Sequence, residues 1–73
     1  MTKQERIALS QKGITILREQ WDARAEMYKI VKYNLFGKGW IRFGKGWYYT
    51  REDGRNAAKR IASESPKIYA YDE

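Results

Sequence analysis

Between residues 36 and 49, rings and cations are interleaved. Trp40, Phe43, Trp47, Tyr48 and Tyr49 share the stretch with Lys38, Arg42 and Lys45. Rings that stack on bases beside cations that meet phosphates are how single nucleic-acid strands are held. Exposed rings beside arginine equally make a protein-binding hot spot. Residue types alone do not separate these two ligands. A second set of cations, Arg51, Arg55 and Lys59, recurs every four residues and would line one helical face. Such a row suits a phosphate backbone or an acidic strip of protein, and a plain solvated helix face would look the same.

Catalysis has little to work with. The chain has no histidine and no cysteine, so the usual general base and thiol nucleophile are missing. Ser10, Ser63 and Ser65 have no base in view along the chain. Zinc, iron–sulfur and c-type haem sites lack their ligands. The reading is binding rather than enzymatic catalysis, with no cofactor and no small-molecule substrate.

The glycines raise a separate question, because FGKGW occurs at residues 36–40 and again at 43–47. Glycine turns can form anion-binding nests, yet the P-loop pattern is absent. An ordinary hairpin corner is the simpler reading. A spacing of seven would put equivalent residues on opposite faces of one continuous strand, so two turns are expected, each followed by a new strand.

Seventy-three residues make one domain at most, and a domain this small buries only about 60% of its unfolded surface. There are three leucines and one valine, against three tryptophans, six tyrosines and two phenylalanines. Rings must therefore fill much of the core. Net charge is +6, unevenly spread: residues 29–60 hold nine basic side chains against two acids, a net +7, and the rest of the chain nets −1. A one-signed field steers anionic partners. The polar start, MTKQERIALS, lacks the apolar run of a secretory signal, and no stretch approaches a membrane span. A cytoplasmic location without membrane attachment is expected.

Thr2 with Glu5 is a capping-box pattern, and Gly13 could end the short helix it opens. Residues 16–26 are read as helix, because Leu17, Trp21, Ala25 and Tyr28 share one helical face, although ITIL is β-branched and Trp-Asp could be a turn. Strands are expected at 28–35, 40–43 and 47–50, with Gly37–Gly39 and Gly44–Gly46 as corners. A helix capped by Thr50 should span 51–64, with Ala57, Ala58, Ile61 and Ala62 as its apolar stripe and Pro66 beyond it. Residues 67–71 should form a last strand with Ile68 and Ala70 towards that helix. The result is an α+β fold: a small, mainly antiparallel sheet made of a three-stranded meander plus a C-terminal strand, one packed helix, and a loosely ordered N-terminal segment. Residues 1–26 are read as that segment, partly helical or disordered, and 27–73 as the compact domain. Either Trp40 with Arg42, or Ile41 with Phe43, should lie on the open face.

The stretches MYKIVKYN, FGKGWYYT and REDGRNAAKRIASESPKIYAYDE, within residues 27–73, resemble small transcription regulators of lytic phages. The resemblance implies a protein that binds host RNA polymerase and inhibits initiation or promotes antitermination. It carries over no functional residue position by position. The residues themselves nominate Lys38, Trp40, Arg42, Lys45, Trp47, Arg51, Arg55 and Lys59 as the partner-binding set, with Trp40 and Trp47 as ring anchors and the others as steering charges. A small single-stranded nucleic-acid binder using the same surface is the alternative.

Overall fold

A computed structural model describes residues 1–37 and 39–73 of the chain. Six elements follow in order: α1 (Lys3–Gln11), β1 (Thr15–Asp22), β2 (Met27–Asn34), β3 (Gly39–Arg42), α2 (Arg51–Glu64) and β4 (Tyr69–Tyr71). They make an α+β fold around a four-stranded mixed sheet of order β3-β2-β1-β4. β1–β2 and β2–β3 are antiparallel, and β1–β4 is parallel. No helix among the described residues is long and apolar enough to cross a membrane.

The largest departure from expectation is β1. Residues 16–26, read above as helix, form a central strand and its turn. The helix-forming Arg18, Glu19 and Gln20 are overruled by pairing with β2, in a strand that β4 also anchors at Thr15–Leu17, a tertiary effect that outweighs propensity. The alternation was hidden because Ile16 and Leu17 point to opposite faces and both are fully buried. A strand covered on both faces reads as a continuous apolar run. Asp22 ends β1 by accepting the N–H groups of Arg24 (2.9 Å) and Ala25 (3.1 Å), while Lys29 Nζ donates to its other oxygen at 3.0 Å. The expected segment boundary at residues 26 and 27 thus falls at the end of a tight hairpin connection.

The N-terminal segment is also better defined than expected. Thr2 and Glu5 complete the capping box in both directions, at 3.1 and 3.2 Å. α1 lies against β1. The sheet is therefore covered on both sides, and a second helix packs where one was expected. Leu17, Ile30 and Ala58 form the core beneath α2, with Phe43, Tyr48, Ala57, Ile61, Tyr69 and Tyr71 around them. Ile16 and Val31 are buried on the opposite face.

α2 covers the predicted span, and its Thr50 Oγ1 accepts the Asp53 N–H at 3.1 Å. The final strand faces the other way from expectation. Its register sets Tyr69 opposite Thr15 and Tyr71 opposite Leu17, so the two tyrosines, rather than Ile68 and Ala70, lie beneath α2. Ile68 precedes the strand and is half exposed.

The repeated phrase meets two fates. The first copy closes the β2–β3 hairpin, with Gly39 at φ +97°. The second makes no corner. Phe43 N–H donates to Ile30 C=O (2.8 Å), and Tyr48 and Tyr28 then exchange both backbone bonds at 2.8 and 2.9 Å. The chain keeps its direction along β2 while residues 44–47 loop outwards, with Gly44 at φ +78°. The expected strand at 47–50 is reduced to this single bridge. The reason is that Tyr28 still has a free N–H and C=O where β3 ends, and Tyr48 satisfies them.

Gly54, anomalous inside a helix, is explained by close approach. A Cβ there would stand 3.1 Å from Glu19 Cβ and 3.6 Å from Tyr28 Cβ. Glu19 lies on the central strand, where its backbone cannot retreat. Gly54→Ala should therefore forfeit its helix-propensity gain of about 1 kcal/mol and destabilise the fold by about 1 kcal/mol net, with Gly54→Leu costing about 3 kcal/mol. Urea denaturation midpoints check this, and a stabilised Gly54→Ala variant would show that the helix–strand approach is looser than described.

Candidate docking surface

The proposed binding residues do not form one patch. The β2–β3 register puts Trp40 beside Tyr33 and Arg42 beside Val31, on the face that α1 partly covers. Arg51, Arg55 and Lys59 belong to α2, on the other face. Lys38 lies outside the described residues. Of the two alternatives, Trp40 with Arg42 does take the face away from α2, and Phe43 packs against the core.

Trp40 is half-buried and enclosed. The Arg18 guanidinium lies 4.0 Å from its ring centroid and that of Arg6 at 5.5 Å, while Tyr33 meets it edge-on at 5.4 Å. Both arginines also hold Asp72: Arg6 Nη1 stands 3.2 Å from Oδ1, and Arg18 Nη1 3.6 Å from Oδ2. The Asp72 side chain is only 7% exposed. Trp40 is thus a packing residue within a network of Arg6, Arg18, Tyr33 and Asp72. Sequence reasoning missed this network, since a pairing across 66 positions carries no local signal.

Arg42, at the end of β3, and Trp47, on the outward loop of residues 44–47, do come together, and Lys45 lies on the same loop. The Arg42 guanidinium stacks 4.0 Å over the Trp47 ring and donates to Gly46 C=O at 3.4 Å. It staples the loop to β3. Trp47 stays 40% exposed, Tyr49 is 82% exposed, and Lys45 is exposed between the two glycines. A stacked arginine keeps most of its N–H fork free for a carboxylate or phosphate.

The α2 cations are differently engaged. Arg51 sits 5.5 Å over the Tyr28 ring, and Lys59 5.3 Å over that of Tyr71. Lys59 also reaches Glu73 at 3.5 Å. Arg55 is exposed. Among the described residues, no group of three metal-ligating side chains converges. No family model matches this chain, and neither a curated protein nor a solved structure matches it.

One polar contact beneath α2 is a titratable device. The Tyr71 hydroxyl donates to the Glu19 carboxylate, at 2.5 and 2.7 Å from its two oxygens. Burial, followed by the hydrogen bond to Glu19 and its charge, pushes the phenol well above its ordinary value of 10.0. A raised folded-state value favours the neutral phenol in the fold. Its contribution is complete below pH 10.0, and is lost as the pH rises from there through the folded value. Tyr71→Phe should destabilise the protein by about 1 kcal/mol at neutral pH. The difference from wild type should shrink in alkali, and a constant gap from pH 8 to pH 12 in thermal melts would contradict this.

Proposed function

We infer that the chain is a non-enzymatic regulator that docks on an acidic protein surface through Arg42, Lys45 and Trp47. Host RNA polymerase is the partner towards which the sequence resemblance points. The observation that carries the reading is the Arg42–Trp47 stack at 4.0 Å on a looped-out, exposed segment. An aromatic anchor held by its own arginine is an ordered hot spot, and little side-chain entropy remains to be lost on docking. The surplus positive charge of residues 29–60 would speed encounter with an acidic surface.

The nucleic-acid alternative needs open ring faces for bases. Arginine already lies against one face of Trp40 and one face of Trp47, which reduces the ring area left for a base to stack on. This weighs towards a protein partner, whose carboxylates can meet the free edges of the same guanidiniums.

The test is titration of purified bacterial RNA polymerase with the full chain after nuclease treatment. Binding should persist without nucleic acid, and the double variant Arg42→Glu/Trp47→Ala should weaken it about tenfold or more. Binding abolished by nuclease, together with saturable binding to plain single-stranded oligonucleotides, would overturn the reading in favour of the alternative.

A further inference from the structure

β4 pairs with β1 only over Thr15–Leu17, whereas β1 runs on to Asp22. Past Leu17, that side of the central strand has no neighbouring strand among the described residues. The direction of its backbone groups follows from bonds already described. Thr15 N–H donates to Ile68 C=O (2.8 Å), and Leu17 C=O accepts from Asp72 N–H (2.9 Å). Odd-numbered residues of β1 thus turn their backbone towards the β4 side. On β2, Tyr28 and Ile30 bond to Tyr48 and Phe43. Met27, Lys29 and Val31 are left to serve Asp22, Gln20 and Arg18, their register partners. Glu19 and Trp21 therefore aim N–H and C=O at the open edge. Among the described residues, no backbone group meets them there.

This edge borders an open cleft of about 390 Å³, lined by Arg18, Glu19, Gln20, Trp21, Arg51 and Asp72. Trp21 is 47% exposed beside it and is held edge-on by Tyr28 at 5.1 Å. Asp72 is paired with Arg6 and Arg18, while Glu19 accepts from the neutral Tyr71 hydroxyl and keeps its charge. Arg6, Arg18 and Arg51 outnumber these two carboxylates, and Arg51 makes no ion pair among the described residues, so the net charge met by a newcomer is positive. An exposed strand edge is normally blunted by proline, charged side chains or a covering element; Arg18, Glu19 and Asp22 are charged here, but each is already engaged, by Asp72, Tyr71 and Lys29. Residues 18–22 contain no proline.

The geometry points to this edge as a β-augmentation site for an extended acidic segment of a partner protein. The segment adds a strand in line with β4 and bonds to the backbone of Glu19 and Trp21. Its side chains alternate between faces, one set against Trp21 and Arg51 and the other towards Arg18. The site lies on the opposite margin of the sheet from β3 and the Arg42–Trp47 loop. It does not rest on the docking role assigned to that loop.

The probe is an end-capped hexapeptide alternating valine and glutamate, titrated into the full chain and followed by amide NMR. The Glu19 and Trp21 amide protons should move downfield and become protected from exchange, while Arg42 and Trp47 should be unaffected. Arg51→Glu, at the first position of α2 where an acid suits the helix dipole, should keep the fold and weaken binding about tenfold. A lysine-for-glutamate peptide binding as well as the original would refute the charge argument. A proline-interrupted peptide binding as well would refute strand addition. Absence of binding would overturn the site. Self-association of the chain with protection of the same two amides would assign the edge to a second copy and overturn the proposed occupant.

Discussion

The structure depends on burying β1 on both faces at once. Ile16 is sealed on one side and Leu17 on the other, one residue apart in an eight-residue strand. β2 is bonded along one edge and β4 along part of the other. α1 and α2 each have this strand to lie against. In so small a chain the hydrophobic term is thin, and it is concentrated where one strand can be covered from two sides. Gly54 follows from the same constraint, because the first turns of α2 must settle close upon Glu19.

With few aliphatic side chains, the protein uses guanidinium–ring stacks to order its periphery. Arg6 and Arg18 enclose Trp40, Arg42 covers Trp47, and Arg51 lies over Tyr28. Each such contact contributes about 0.5–1 kcal/mol at an exposed site, so their combined effect is to fix orientation more than to stabilise the fold. The same stacks decide what the rings can do. Trp40 is used up in holding Asp72 through its arginines, whereas Trp47 remains open to a partner. Composition presents the two tryptophans as equivalents, and the strand register separates them.

The two FGKGW copies show how identical local chemistry is redirected by its surroundings. Glycine permits positive φ in both. In the first copy the chain reverses and pairs with β2. In the second it bulges outwards, because Tyr28 offers unpaired backbone groups that draw Tyr48 back to the same strand line. The looped-out residues gain exposure as a consequence, and Arg42 restrains them.

Local rules were legible wherever neighbours in sequence are neighbours in space. Thr2 with Glu5 and the capping Thr50 announced both helix starts, and the apolar stripe of α2 was readable from its spacing. The absence of histidine and cysteine, and the cationic middle of the chain, are likewise properties of the sequence alone. Only tertiary structure decided that residues 15–22 extend, that Tyr69 and Tyr71 turn inwards, and that Asp72 returns to Arg6 and Arg18. It also divided the basic and aromatic residues between two faces and left part of the β1 edge open. Each of these depends on backbone hydrogen bonds or charges brought together from distant positions, whose free energy exceeds the few tenths of a kcal/mol, roughly, by which local propensities differ.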